Sequence, residues 1–315
     1  MVAMARKRLM IHSTFLVLLP VFVAWFGLSV LTATGLVVLM LVWRWLIVLS
    51  GIMAPEKTAD IVLETISLSH YVEKVRWCMD RLDIDYTERQ SGATLGVFFT
   101  GRSVPQLRVR TGLVQTVIGN SSDILRYLWG ACWASHGERA AFLEPSAERI
   151  ELEQKLDRYG RNLQVWIYYH LLHDRDLTLH AWGANNALVP AWHRLALRVL
   201  FPMLAALVRR SFAISDDHYA KSILHIDELL SSIDTGLADG RRSILGGDTL
   251  NYTDIAFAAL SGLWADAEGY GGGKADESII KRERMPAKMR ADAERWAEDY
   301  PRADALIHRL YAEER

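Results

Sequence analysis

The stretch Leu63–Leu82, LETISLSHYVEKVRWCMDRL, changes its hydrophobic period partway along. Ile61–Ile66, IVLETI, reads as a short strand. Beyond it, Tyr71, Val75, Cys78 and Leu82 recur at i, i+4, i+7 and i+11, which is one stripe of a helix. Glu73, Lys74, Arg76, Asp80 and Arg81 take the remaining positions. Where a strand hands over to a helix, the first amide groups of the helix have no intrahelical partner, and Ser69 stands at that junction. A serine there has two uses. It caps its own helix, or it offers its hydroxyl to something bound at the exposed amides.

Downstream, Tyr86–Gln90, YTERQ, supports a second strand. Ser103–Gly119, SVPQLRVRTGLVQTVIG, holds two β-rich runs around Thr111 and Gly112, the grammar of a hairpin. In Asn120–Gly130, NSSDILRYLWG, Ser121 or Ser122 can cap a helix that turns Ile124, Leu125 and Leu128 inward. The expected order over residues 58–131 is therefore β-α-β-(α)-β-β-α. From residue 146 the pattern is helical, with Leu152, Leu156, Tyr159 and Leu163 on one stripe and Ile223, Ile226, Leu230 and Ile233 on another. Residues 146–315 are expected to form a second, all-α domain. Its clearest start signal lies in Gly246–Trp264, GGDTLNYTDIAFAALSGLW, where Asn251 can cap a helix and Asp254 can reach back to it. The glycines of Gly269–Lys274 lack the spacing of a phosphate-binding loop and read as a connection.

Upstream, Leu9–Met53, LMIHSTFLVLLPVFVAWFGLSVLTATGLVVLMLVWRWLIVLSGIM, carries one formal charge, Arg44. A spanning helix needs roughly 20 apolar residues, so this run suffices for two. Residues 1–53 are expected to be a membrane segment of two transmembrane helices, with a turn between Gly27 and Gly35. A turn near Gly27 leaves Arg44 near an interface, whereas one at Thr32–Gly35, TATG, leaves it mid-bilayer; the earlier turn is favoured. Arg6, Lys7 and Arg8 also suit a signal peptide, but the second apolar run follows at once with no small-x-small cleavage site between. A hydrophobic helical pair buried in a soluble protein is the remaining alternative. By the positive-inside rule the basic start stays on the cytoplasmic side, and a hairpin returns the globular part to that side.

The 315 residues carry a net charge of -1, which exerts no bulk pull on nucleic acid. With two cysteines, Cys78 and Cys132, there is no disulfide framework. In the long segment Asp174–Ser215, the run Leu195–Val208, LALRVLFPMLAALV, is expected to be an amphipathic helix that packs on the domain or dips into a membrane interface. Arg194, Arg198, Arg209 and Arg210 bracket too short a stretch for a further span. The mixed charges of Lys281–Arg295 read as a solvated face or as a face toward lipid headgroups.

Taken together, Ser67–Trp77 (SLSHYVEKVRW), Ser103–Leu107 (SVPQL), Gly119–Leu128 (GNSSDILRYL) and Gly246–Leu260 (GGDTLNYTDIAFAAL) resemble the glutathione S-transferase superfamily. They match, in order, its first βα junction, its cis-proline loop, its Ser-x-x-Ile-x-x-Tyr-Leu helix start and its capping-box helix. Tyr300–Arg315 (YPRADALIHRLYAEER) is similar to its closing helix. The resemblance runs from about Asp60 to the C-terminus. It implies an α/β thioredoxin-like βαβ-ββα domain followed by an all-α helical bundle domain, here preceded by transmembrane helices.

For the site, the resemblance implies Ser69 in the place of the catalytic Ser or Cys, stabilising the thiolate of a bound glutathione cosubstrate. Val104, before a cis Pro105, would pair its backbone with the tripeptide, and Asn120 and Ser121 would hold its γ-glutamyl end. His70 and Tyr71 flank the site; by position His70 faces solvent and Tyr71 falls on the apolar stripe. The second substrate would be an apolar small molecule, an electrophile drawn from the lipid bilayer, and a homodimer is common among such proteins. Two departures stand out. Ser69-His70-Tyr71-Val72 occupies the place of the Cys-x-x-Cys of redox relatives, which removes dithiol exchange. Asn120 replaces the usual acidic residue, a role that Asp123 could take. A non-catalytic binding or scaffold protein of the same fold is the alternative. A membrane thiol reductase working through Cys78 is a weaker one, since a mid-helix thiol on the stripe is poorly exposed. The aromatics of Val165–His173, VWIYYHLLH, either pack or line the apolar pocket, and His170 and His173 have no acidic or thiol neighbour in sequence that would make a metal site.

Overall fold

The computed structural model describes residues 29–52, 59–66, 68–92, 104–111 and 114–315. The chain divides into two compact units, Met1–Asp60 with Val109–Thr116, and Ile61–Arg108 with Val117–Arg315.

In the first unit, helix α1 spans Val30–Ile52. Ser29 starts it, its hydroxyl accepting from the Thr32 amide at 3.2 Å and pairing with the Thr32 hydroxyl at 2.8 Å. Because the helix runs unbroken through Thr32–Gly35, the TATG turn is ruled out. Gly27 and the first apolar run lie outside the described residues. Leu31, Trp43 and Trp45 are exposed along α1. Among the described residues, Ala191–Ser211 is the helix long and apolar enough to cross a membrane, while Val30–Leu46 counts as a shorter apolar stretch.

The four strands are β1 (Asp60–Thr65), β2 (Thr87–Gln90), β3 (Gln106–Thr111) and β4 (Val114–Gly119), in the order β2-β1-β3-β4. β1 and β2 run parallel, with Val62 opposite Thr87 and Thr65 opposite Gln90. Parallel neighbours need a crossover, and helix α2 (His70–Arg81) supplies it. The two-residue connection between β3 and β4 requires that pair to be antiparallel. The mixed sheet with its helices is consistent with the expected thioredoxin-like domain. The helix expected between β2 and β3 would fall on residues 93–103, outside the described residues.

Helix α3 (Ser121–His136) follows β4. Its cap is Asn120, not Ser121 or Ser122 as the sequence suggested. Asn120 takes a φ of 77° with a ψ of 131°, outside the left-handed helical region, and accepts from the Ser122 amide at 3.3 Å, which starts the helix one residue earlier. The helical half comprises α4 (Ala147–Leu171), α5 (Arg175–Ala181), α6 (Ala191–Ser211), α7 (Asp216–Gly236), α8 (Tyr252–Ala265), α9 (Ala287–Asp299) and α10 (Pro301–Glu314). Ser146, Asp174 and Ser215 cap α4, α5 and α7 with their side chains. α8 is buried at every position, and it begins with the expected capping box of Asn251 and Asp254.

α2 is buried on more than its apolar stripe. The charged positions off its apolar stripe include Glu73, Lys74 and Arg76, which are fully buried. Each has distant partners that make burial tolerable. Lys74 meets Glu153 of α4 at 2.7 Å; Arg76 bridges Glu73 at 2.9 Å and Glu88 at 2.6 Å. The side chain of Arg315 returns to Glu73 at 2.9 Å and Asp80 at 2.8 Å. A buried charge persists only where such partners neutralise it.

Candidate functional site

At the N-terminal end of α2 lies a cavity of about 450 Å3. Ile66, Leu68, Ser69, His70 and Val104 form its sheet side, and Ile167, Tyr168, Trp182 and Phe212 are on its helical side. The walls are mainly apolar, with Gln164 and Ser211 among the few polar groups.

Ser69 occupies the N-cap position of α2, with φ -72° and ψ 117°. Its carbonyl accepts from the Val72 and Glu73 amides at 2.9 and 3.0 Å, and its own amide donates to the Ile66 carbonyl at 3.0 Å. Its hydroxyl makes no capping bond. The backbone thus fixes Ser69 at the mouth of the helix while the side chain, half-buried, lines the cavity. The preceding carbonyl, that of Leu68, accepts from the Tyr270 hydroxyl at 3.3 Å, tying this turn to the helical half.

His70 also lines the cavity, but it is buried rather than facing solvent. The first turn of α2 is pressed against α4 at Gly160, where a Cβ would come within 2.6 Å of the Tyr71 hydroxyl. The missing side chain permits the approach that buries the imidazole. Burial lowers the His70 pKa to about 4, against a hydrogen bond to the Gly160 backbone that raises it. The ring is therefore neutral near pH 7, and its Nε2 has no hydrogen-bond partner among the described residues.

Tyr71 does not line the cavity. Its hydroxyl donates to the Asp157 carbonyl at 3.0 Å, and burial raises its pKa. The apolar-stripe position wins over the flanking position, because a residue facing α4 cannot also face the groove. Val104 lines the cavity and is joined to Pro105 by a cis peptide bond, with Pro105 buried behind it. Asn120 and Ser121 are not among the lining residues. The Asn120 side chain is turned onto the Ser122 amide, and Ser121, as the first helical residue, is buried at 2% exposure. Asp123 is exposed. The cavity wall thus includes Ser69, His70 and Val104, with Pro105 buried next to Val104, and leaves out Tyr71, Asn120 and Ser121.

Several residues near the site had no signal in the sequence. Ser122 accepts from Lys74 Nζ at 3.4 Å and lies 3.4 Å from Asp157 Oδ2, while Arg126 pairs with Glu153. Burial raises the Asp157 pKa, offset in part by the Lys74 charge. In the aromatic run of α4, Ile167, Tyr168 and Leu171 line the cavity, whereas Trp166 and His170 turn away onto Asp292 at 3.0 and 3.2 Å. His170 therefore has an acidic partner after all, supplied by the run that read as a solvated face. No group of three or more metal-ligating side chains occurs among the described residues.

Cys78 is wholly buried, and burial pushes its thiol up to about 12. A thiol held that far from ionisation cannot act as a nucleophile, which removes the reductase reading.

No family model matches the chain, and no curated protein does. Solved structures similar to it include a glutathione S-transferase from Rhodospirillum rubrum F11, 18% identical over 81% of this chain and 93% of that one, with a TM-score of 0.41. A glutathione S-transferase from Methylobacterium radiotolerans JCM 2831, in complex with glutathione sulfonate, is 16% identical over 81% of this chain and 91% of that one, with a TM-score of 0.47. One from Methylobacillus flagellatus KT with glutathione bound is 14% identical over 80% and 94%, with a TM-score of 0.44.

Proposed function

We propose that this chain is a membrane-anchored glutathione S-transferase-like protein. Its globular part lies on the cytoplasmic side of the bilayer and presents a glutathione thiolate to an apolar electrophile. The single observation that carries the reading is the position of the Ser69 hydroxyl. It is unused as a cap and lines the same apolar-walled cavity as Val104, beside cis Pro105.

In this reading the thiol proton leaves to water and the sulfur stays as the anion. The partial positive charge at the start of α2 favours that anion, and the Ser69 hydroxyl donates to it. Neutral His70 adds no countercharge, so dipoles alone stabilise the sulfur. The sulfur then attacks the electrophile held against Tyr168, Trp182 and Phe212, forming a carbon–sulfur bond while the leaving group departs. The Val104 backbone would pair with the tripeptide. Membrane attachment is supported by the apolar run Leu9–Met53 and by the exposed apolar side chains of α1.

Calorimetry on the full chain in detergent tests this reading. Glutathione should release or absorb heat on binding, Ser69→Ala should weaken binding, and Val104→Pro, which removes the amide, should abolish it. Absence of any binding heat in the parent chain overturns the proposal. The second reading, a binding or scaffold protein that does not turn over, is favoured by the exclusion of Asn120 and Ser121 from the cavity wall. Binding without conjugation of a chlorodinitrobenzene electrophile would select it.

A further inference from the structure

Helix α6 is apolar on two sides. His193, Leu197, Phe201, Leu204 and Val208 are buried, at the spacing of one stripe, against the core that includes Leu172 and Trp182. A second stripe, Trp192, Leu195, Val199, Met203 and Leu207, is exposed, with Leu195 at 62%, Val199 at 67% and Met203 at 56%. One such stripe accounts for the packing of a surface helix; a second, exposed one marks a surface open to a partner.

Charge indicates what covers it. α6 contains no Asp or Glu, and four arginines. Arg198 is engaged by the Ala184 carbonyl at 2.7 Å and by Asn185 at 3.0 Å. Arg209 and Arg210, at the end of the helix, are exposed and form no ion pair among the described residues. A second copy laid on the stripe would bring no carboxylate from its own α6 to these cations, whereas an anionic headgroup layer would. A tryptophan at one end and arginines at the other suit a helix lying in a bilayer interface. The same chain carries another exposed apolar helix in α1.

We propose that the outer stripe of α6 rests in the surface of an anionic lipid bilayer, with Arg209 and Arg210 among the headgroups. Leu207, Val208 and Ser211 also line the cavity, so docking sets its helical rim at the lipid surface. This rests on the membrane attachment proposed above but not on its thiol chemistry.

The test uses the full chain bearing Val199→Cys, labelled with an environment-sensitive dye and reconstituted with phosphatidylcholine vesicles with or without about one-third phosphatidylglycerol. Leu224→Cys, 62% exposed on α7, is the control. Both native cysteines are buried, which confines labelling to the new site. The dye at 199 should shift to the blue and be quenched by brominated acyl chains in the anionic vesicles, and the dye at 224 should not. Arg209→Gln and Arg210→Gln should each lower the docked-to-free ratio about five-fold. A water-like spectrum at 199 in a chain that floats with the vesicles overturns the docking alone; a chain that does not float overturns the attachment as well. Equal shifts at both positions, or a shift at 199 that brominated lipid does not quench, overturn it in favour of protein contact.

Discussion

α2 and α8 both begin at a small polar residue, Ser69 and Asn251, yet they are held in opposite ways. At α8 the capping side chains are taken up within the protein. Asn251 accepts from the Thr253 amide at 2.9 Å, and Asp254 accepts from the Asn251 amide at 3.0 Å, from Ser243 at 2.9 Å and from the Ile244 amide at 2.8 Å. At α2 the Ser69 hydroxyl makes no cap, and the helix is fixed instead by buried charges from Glu153, Glu88 and Arg315. A cap that closes on itself is structural. A cap left open beside a cavity, while other groups carry the helix, is available to a ligand.

Removing one of those buried charges gives the largest effect. Lys74→Met leaves Glu153 buried with Arg126 alone, and should lower stability by about 3–5 kcal/mol in urea unfolding. Lys74→Met with Glu153→Leu should recover much of that loss. If the double variant is no better than the single one, the charges do not anchor α2. Asp254→Ala comes next: it strands the Asn251 and Ile244 amides and the Ser243 hydroxyl, and should cost about 3 kcal/mol while glutathione binding per folded molecule stays unchanged.

These two helices also show how far the sequence could be read. The strand-to-helix change of period at Ile66–Tyr71, the hairpin around Gly112 and the helical stripes are local patterns, and they placed β1 and β2 to within a residue and showed which later stretches are helical. The capping box was legible because Asn251 and Asp254 stand three positions apart. The burial of Lys74 was not, because Glu153 stands 79 residues away and Arg315, which neutralises Glu73, stands 242 away. Near the cavity, Ser69 stood out at its strand-to-helix junction and Val104 with Pro105 only through the family resemblance; Ser69 and Val104 line the cavity. The burial of His70 depends on a glycine in another helix, and the shift of the α3 cap to Asn120 depends on a backbone angle.

His70 makes that burial measurable. Its folded pKa, about 4, lies below the ordinary 6.5, so between these values the unfolded chain binds more protons than the folded one. Stability contributed by neutral His70 is present above pH 6.5 and is lost as pH falls toward about 4, with a slope of at most about 1.4 kcal/mol per pH unit. His70→Gln should flatten that part of the urea-derived pH profile. An unchanged slope would mean that the imidazole is hydrated and that the first turn of α2 is not pressed on Gly160.

The smallest expected effect on stability separates the two helix starts most sharply. Where a serine caps its helix, replacement by alanine costs about 1 kcal/mol. Ser69 makes no such bond, so Ser69→Ala should change the unfolding free energy by no more than about 0.5 kcal/mol. Its loss should instead appear in the ligand. A hydroxyl donating to a thiolate is a hydrogen bond to a charged group, and deleting it should weaken glutathione binding roughly ten-fold and raise the apparent pKa of the bound thiol. The ultraviolet absorbance of the thiolate, followed against pH in the parent chain and in Ser69→Ala, reads that shift directly. If Ser69→Ala destabilises the fold by a full cap and leaves the thiol pKa where it was, Ser69 belongs with Asn251 and the cavity has lost its donor.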